Sequence, residues 1–108
     1  MLYELRVYHC MPGKLPALSK RFETATTKLF EKHGFRQVGY WTVAIGESSS
    51  DFYYILAWES HEEREKKFAA FASDPEWIAA RAKSEEGGPL VESITNSILM
   101  PTKYSQLK

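Results

Sequence analysis

The first residues of the chain alternate between two sets of side chains. Between Leu2 and Cys10, one set is Tyr3, Leu5, Val7 and His9, and the other is Leu2, Glu4, Arg6 and Tyr8. A period of two with aromatic and β-branched residues predicts a β-strand. Met11-Pro12-Gly13 ends it, because proline cannot donate to a sheet and glycine frees the backbone.

A helical pattern follows from about Lys14 to His33. Apolar residues recur there at steps of three and four, which places one apolar stripe along a helix: Leu15, Leu18, Phe22, Ala25 and Leu29. Pro16 fits the first turn, where backbone amides lack helical partners, and Gly34 fits a left-handed stop. The pattern therefore predicts a long amphipathic helix.

The rest of the chain predicts a hairpin, two helices and a last strand. Residues 35–45 and 52–59 are rich in aromatic and branched residues, and the polar segment 46–51 joins them as a hairpin turn. Ser60 and Glu63 have capping-box spacing, and Asp74-Pro75 gives a second helix start. Gly87-Gly88-Pro89 ends that helix, and residues 90–100 form the fourth strand.

The element order is strand, helix, strand, strand, helix (broken), strand. With right-handed crossovers, this order predicts an α+β fold of the ferredoxin-like βαββαβ type, with a four-stranded antiparallel sheet covered by helices on one face. A chain of 108 residues fits one such domain, residues 1–108.

The third predicted strand is apolar on both faces. Phe52, Tyr54, Leu56 and Trp58 point one way, and Tyr53, Ile55 and Ala57 point the other. One chain has only enough helix to cover one face, so we expect a second copy to cover the other and form a two-fold homodimer. The alternative is a monomer whose open face is a platform for an aromatic ligand.

The charge balance and the apolar content of the chain bear on which classes of partner it can bind. Lys plus Arg equals Asp plus Glu at 14 each, so no overall charge favours nucleic acid. No segment approaches the roughly 20 apolar residues that cross a bilayer. The single cysteine fits a reducing compartment, and the chain opens without a basic segment followed by an apolar run. We therefore expect a cytoplasmic protein with no nucleic-acid or membrane partner.

Several short motifs follow one another across nearly the whole chain: Tyr3-Glu4-Leu5-Arg6-Val7-Tyr8, Pro12-Gly13-Lys14-Leu15, His33-Gly34-Phe35, Val38-Gly39-Tyr40-Trp41, Leu56-Ala57-Trp58-Glu59-Ser60, Glu63-Arg64, Phe71, Asp74-Pro75-Glu76-Trp77 and Leu99-Met100-Pro101-Thr102. In their order and spacing they resemble the NIPSNAP family. The resemblance implies a dimeric α+β barrel, in which the sheets of two subunits pack together and the helices lie outside. It supplies no catalytic motif. Cofactor-independent monooxygenases and haem-degrading enzymes share this barrel, which is an analogy of fold alone.

The histidines and the cysteine give weak signals for chemistry. His9 and Cys10 are adjacent on a strand, so their side chains point to opposite faces and do not converge on one metal ion. His9, His33 and His61 lack ligand spacing, so we expect no metal, and we expect no cofactor. His33 is interpreted as a helix-end residue, His61 as a surface residue and Cys10 as a structural thiol. His9 is the weak catalytic candidate.

Two groups of residues are candidates for ligand binding. Glu4 and Arg6 share a face with Tyr8, which predicts a buried ion pair at the subunit interface or, alternatively, makes Arg6 an anchor for an acidic or phenolic ligand. The second group consists of aromatic residues that either line a flat pocket between sheet and helices or simply form core and interface: Tyr40, Trp41, Tyr54 and Trp58.

The leading hypothesis is a homodimer of unknown biochemical role that binds a small hydrophobic or aromatic ligand in each subunit. The first alternative is a cofactor-independent monooxygenase with His9 as proton shuttle, which requires His9 to point into an enclosed pocket. The second is a non-catalytic protein-interaction module, for which a filled core without a pocket is expected.

Overall fold

The structure, a computed structural model, describes residues 1–108. Its elements are β1 (Leu2–Cys10), helix α1 (residues 15–32), β2 (Arg36–Thr42), β3 (Asp51–Trp58), α2 (His61–Ala72), α3 (Pro75–Ser84) and β4 (Val91–Leu99). The four strands form one antiparallel sheet in the order β2-β3-β1-β4. The predicted ferredoxin-like topology is confirmed.

Helix α1 is continuous but not regular. It is α-helical over Leu15–Arg21, π-helical over Phe22–Thr26 and α-helical again over Thr27–Lys32. In the middle segment the amide of Thr27 donates to the carbonyl of Phe22, five residues earlier. The sequence pattern predicted an uninterrupted α-helix, so the wide turn is a finding of the structure. Such turns occur frequently at functional sites.

The predicted ends of the helices are confirmed. Gly34 follows α1 with a φ of 75°, in the left-handed region that glycine adopts without strain. The hydroxyl of Ser60 accepts a hydrogen bond from the amide of Glu63 at the start of α2. The carboxylate of Asp74 accepts one from the amide of Glu76 at the start of α3. None of the three helices combines the length and the apolar character needed to cross a bilayer.

The core lies between the sheet and the helices. Strand β3 contributes the side chains with the least exposure, and α1 and α2 pack against them: Phe52, Tyr54, Leu56 and Trp58 from β3, with Leu18, Phe22, Leu29, Phe30 and Phe71 from the helices. This is the set of β3 residues that the alternating pattern assigned to one face. The helix-covered face therefore agrees with the prediction.

The opposite side of the sheet, which we call the open face, is apolar and carries no helix of this chain. Leu5, Tyr53 and Ile55 are half-buried there, while Trp41 is 48% exposed. Together with the loop that carries the fully exposed Ile45, they line an open-face groove of about 630 Å³. The second apolar face was predicted from the sequence, and the helices of this chain leave it open.

Candidate ligand cavity

A second concavity lies between the sheet and the helices, and we call it the helix-side cavity. Its volume is about 300 Å³, and β1, all three helices and the start of β4 contribute to its walls. Most of its lining is apolar, and the aromatic side chains are Tyr8, Phe22, Phe30, Phe68, Phe71 and Trp77. It is a pocket with rigid, planar walls.

The irregular part of α1 supplies one wall of this cavity. Arg21, Phe22 and Thr26 all line it and all three are buried. The ring of Phe22 contacts those of Tyr8 and Tyr54, with centroid distances of 5.6 and 5.1 Å. The wide turn therefore begins and ends at residues that face the cavity, and it sets which side chains of α1 point inward.

Two buried polar atoms have no hydrogen-bond partner in the protein, and both belong to residues of this wall. They are Nε of Arg21 and Oγ1 of Thr26. The residues are 8% and 2% exposed. Buried polar groups are nearly always paired, since an unpaired one costs about 1–3 kcal/mol. The two unpaired atoms thus belong to residues of the same wall of the cavity.

Arg6 lines the same cavity, but its charge is already bound. Its Nη1 donates to Glu4 at 2.9 Å, its Nε donates to the phenol of Tyr54 at 2.7 Å, and its Nη2 lies 3.4 Å from the phenol of Tyr8. The Arg6 guanidinium also lies 5.1 Å from the ring centre of Phe68. Arg6 therefore acts mainly as a support that orients the two phenols.

Glu4 is the centre of a buried polar network beneath the cavity. It is fully buried and accepts hydrogen bonds from Arg6, Arg64, Trp58 and Asn96. Burial alone would raise the pKa of its carboxyl group, but the hydrogen bonds from Arg64 and Asn96 and the charge of Arg6 outweigh burial and lower the pKa to about 2. Glu4 is therefore ionised and holds two arginines in place.

The two phenols next to Arg6 differ in their surroundings. Tyr54 is fully buried, and burial together with the neighbouring Tyr8 raises its pKa well above the ordinary value. Its hydroxyl lies 3.0 Å from that of Tyr8. Tyr8 is only half-buried and lines the cavity. The polar chain from Glu4 through Arg6 and Tyr54 thus ends at a phenol that faces the pocket.

The structure divides the aromatic residues that were predicted to form one pocket. Tyr40, Tyr54 and Trp58 face the helices and pack in or against the core, and none of the three lines the helix-side cavity. Trp41 lies on the open face and lines the groove there. The prediction that all four share a pocket between sheet and helices is wrong. Neighbouring residues on a strand point to opposite faces, so Tyr40 and Trp41 cannot share one.

The predicted ion pair between Glu4 and Arg6 forms, but not at the open face where a second subunit would pack. Glu4 is paired across the sheet with Leu56, which faces the helices, so the ion pair lies on the helix side of the sheet. The alternate residues of β1 occupy the open face, which is the face that the sequence argument assigned to a second copy: Tyr3, Leu5 and Val7. Arg6 does line the helix-side cavity, as its interpretation as a ligand residue requires.

His9 does not point into the helix-side cavity. It lies on the open face, where its ring nitrogens are 2.9 Å from Asp51 and 2.9 Å from the hydroxyl of Thr95. Cys10 points to the other face and is buried, and burial together with the Asp51 carboxylate raises the pKa of its thiol. The chain contains no cluster of three or more His, Cys, Asp or Glu side chains arranged to hold a metal.

Arg21 and Thr26 are site residues that sequence reasoning missed. Both are polar residues on the apolar stripe of α1: Arg21 follows Leu18 by three positions, and Thr26 follows Phe22 by four. The apolar stripe of a helix faces the core, so a polar residue on that stripe is expected to be buried, and a buried polar residue indicates a special role. That mismatch was the available signal.

Comparison with known proteins identifies relatives along the whole chain. The NIPSNAP family model matches residues 3–106. Among solved structures, Atu4242 of Agrobacterium tumefaciens, a NIPSNAP family protein with unknown function, is 29% identical with a TM-score of 0.88, covering 100% of both chains. An uncharacterized NIPSNAP domain protein from Burkholderia xenovorans is 24% identical with a TM-score of 0.84, covering 97% of this chain and 98% of its own.

A more distant structure shares the fold alone. A protein from Nitrosomonas europaea, whose given name proposes it as an antibiotic biosynthesis monooxygenase, is 12% identical with a TM-score of 0.63. The match covers 94% of this chain and 98% of that one. None of the curated proteins matches the chain.

Proposed function

Since the chain belongs to the NIPSNAP family, we propose that it is a homodimer in which each subunit binds a small hydrophobic or aromatic ligand in the helix-side cavity. The observation that carries the proposal is the cavity itself, about 300 Å³ lined mostly by apolar and aromatic side chains. This volume is at the lower end of the range of about 300–1,000 Å³ for small-molecule sites. An interaction module would be expected to have a filled core at this position.

The open face supports the homodimer. Leu5, Tyr53 and Ile55 line the apolar groove together with Trp41 and the fully exposed Ile45. A two-fold interface uses one patch on both subunits, so a groove whose rim carries an exposed apolar side chain is suited to pack against a second copy of itself. Monomers rarely leave such a surface in water. We also propose a cytoplasmic location, which the single buried Cys10 supports.

A monooxygenase reaction has less support than binding. It was tied to His9 as the proton-transfer residue, and His9 hydrogen-bonds Asp51 and Thr95 on the open face. The polar groups of the helix-side cavity are arginines, a threonine and a phenol. The likeness to the Nitrosomonas europaea protein is one of fold. We therefore propose ligand binding without assigning a reaction.

Blocking the cavity tests the binding role. Ala72 lines the helix-side cavity, so an Ala72→Trp substitution places an indole at its mouth. Ala79 is exposed on α3, and Ala79→Trp is the matched control. In a titration with cinnamate and with cinnamamide followed by NMR, resonances of Phe22 and Thr26 should shift in the wild type and in Ala79→Trp but not in Ala72→Trp. If neither compound moves them at millimolar concentration, the binding role is wrong.

Assembly is tested on the open face. Native mass spectrometry and sedimentation at micromolar concentration should give twice the mass of the chain. An Ile55→Arg substitution puts a charge in the centre of the open face and should produce a folded monomer, whereas Ile78→Arg, at an exposed position of α3, should leave the dimer intact. A wild-type protein that sediments as a monomer refutes the homodimer.

A further inference from the structure

We propose that the ligand of the helix-side cavity is an aromatic carboxylate whose oxygens accept hydrogen bonds from Arg21, Thr26 and Tyr8. This inference rests on the proposed ligand cavity and adds the chemical class of what fills it. Three observations lead to it: two orphaned donors, a third donor found by counting hydrogens, and a local excess of positive charge.

The first observation is the pair of unpartnered atoms on α1. Nε of Arg21 carries a hydrogen and cannot accept, so the partner missing there must be an acceptor. Oγ1 of Thr26 also lacks a partner and carries a hydroxyl hydrogen that it can donate. The rest of the Arg21 side chain is held firmly, since its Nη1 donates to Ser84 and its guanidinium carbon lies 5.2 Å from the ring centre of Trp77.

The second observation concerns Tyr8. The phenol oxygen of Tyr54 accepts from Nε of Arg6, and the only other polar atom within hydrogen-bond distance is the hydroxyl of Tyr8. Tyr54 is fully buried, so its own hydrogen must be donated to Tyr8. Tyr8 then accepts from Tyr54, and its own hydrogen finds no acceptor in the protein. Tyr8 lines the cavity and therefore presents a third donor to it.

The third observation is the balance of charge. Two carboxylates near the cavity are each shared by two arginines: Glu4 pairs with Arg6 and Arg64, and Glu85 with Arg21 and Arg81. Four guanidinium groups thus face two carboxylates, although the chain as a whole is neutral. Burial lowers the pKa of Arg21, and its ion pair with Glu85 is long at 3.8 Å. An anion beside Arg21 restores the balance.

The remaining walls fit an aromatic ring better than a small inorganic anion. Phe22 and Trp77 are planar walls beside Arg21, and most of the lining carries no polar atom. A free phosphate would leave these apolar walls in water, while a carboxylate on an aromatic ring uses both parts of the cavity. Arg21 replaces Arg6 as the expected anion anchor, because the charge of Arg6 is paired with Glu4 at 2.9 Å and each of its three nitrogens already donates one hydrogen bond.

A matched pair of probes separates this inference from the binding role itself. Cinnamate and cinnamamide have the same shape and differ in charge. Calorimetric titration of the wild-type protein should show that cinnamate binds about ten- to a hundredfold more tightly, as expected for hydrogen bonds to a charged group. Equal affinities overturn the carboxylate and leave the ligand cavity standing. Failure of both probes to bind overturns the cavity proposal, and the carboxylate with it.

Two substitutions locate the effect. Thr26→Val keeps the shape of the side chain but removes the unpaired hydroxyl, so it should leave the melting temperature unchanged or raised while weakening cinnamate by about two- to tenfold. Arg21→Gln should remove the preference for cinnamate over cinnamamide, and Arg21→Lys should restore part of it. Arg36→Gln, an exposed arginine on β2, is the matched control and should change neither affinity.

These outcomes distinguish a ligand anchor from a structural residue. A hydroxyl that serves only the fold would lower the melting temperature when removed and leave the ratio of the two affinities unchanged. If Thr26→Val and Arg21→Gln both keep the wild-type ratio, the proposed anchor is wrong. If Arg21→Gln does not fold, the Thr26→Val variant and the wild-type probe ratio still decide the result.

Discussion

Replacing Glu4 with glutamine removes the charge at the centre of the network that orients Arg6. The carboxylate accepts five hydrogen bonds, from Nη1 of Arg6, Nε and Nη2 of Arg64, Nε1 of Trp58 and Nδ2 of Asn96. Glutamine has one oxygen and one amide nitrogen, so its NH₂ group faces donors that it cannot accept from. The substitution also leaves two arginines without their shared counter-charge.

The expected cost follows from the pKa of Glu4. It is lowered from an ordinary value of 4.5 to about 2. At about 1.4 kcal/mol per unit, this shift corresponds to about 3 kcal/mol of stability at neutral pH. Because the pKa in the folded protein is below that in the unfolded chain, the contribution is complete above the unfolded value and is lost as the pH falls towards about 2. Removing one partner of a buried ion pair typically costs about 3–5 kcal/mol, because the remaining charge is left buried without a counter-charge.

Urea denaturation of the wild type and Glu4→Gln over a series of pH values measures this directly. The difference in the free energy of unfolding should be about 3–5 kcal/mol near neutral pH and should shrink as the pH approaches the folded-state pKa of Glu4. Other carboxylates titrate in both proteins and cancel in the difference. Glu62→Gln is the control, since Glu62 is exposed and pairs only with Lys66 one turn along α2, so it should cost less than about 0.5 kcal/mol.

Two results would refute the reasoning. A Glu4→Gln protein within about 1 kcal/mol of the wild type at neutral pH would mean that the network does not hold the charge as the geometry indicates. A large difference that stays constant on acidification would mean that the cost comes from altered packing and not from the lost charge.

Two further predictions concern the open face and the single thiol. A β-carbon at Gly39 would lie 2.8 Å from the indole of Trp41. Gly39→Ala should therefore shift the Trp41 indole resonance in NMR spectra and weaken dimerisation in sedimentation. Gly87→Ala is the control and should do neither, because Gly87 has open space around it. Cys10 is buried with a raised thiol pKa, so a disulfide reagent should label it only in denaturant, and fast labelling of the folded protein would contradict its position.

The fold could be predicted from the sequence because its signals are local and agree with one another. Period-two alternation defined β1 and β3, and the caps at Ser60 and Asp74 defined the starts of α2 and α3. The second strand is shorter than predicted and carries a bulge near Gly39, which depends on how it pairs with β3. Cross-strand register is a tertiary property, so the pattern of one segment does not reveal it.

The candidate site was only partly predictable for a related reason. Arg6 was identified because it shares a strand face with Glu4 and Tyr8. Arg21 and Thr26 are marked only by being polar residues on the apolar stripe of α1. The wide turn at Phe22–Thr26 has no sequence signature, and a regular 3.6-residue period assigns its residues to the wrong angles. The grouping of Trp41 with Tyr40 in one pocket failed because neighbouring strand residues lie on opposite faces of the sheet.

The unpaired buried polar atoms and the irregular helical turn of this small domain lie in the same part of the structure. Only two buried side-chain polar atoms lack partners, they belong to Arg21 and Thr26, and these residues flank and end the one irregular turn of the helices. Both residues also line the cavity that Tyr8 lines. Natural sequences satisfy local rules except where function requires a departure. The anion that we propose for this cavity would account for the unpaired donors, the wide turn and the local excess of arginine together.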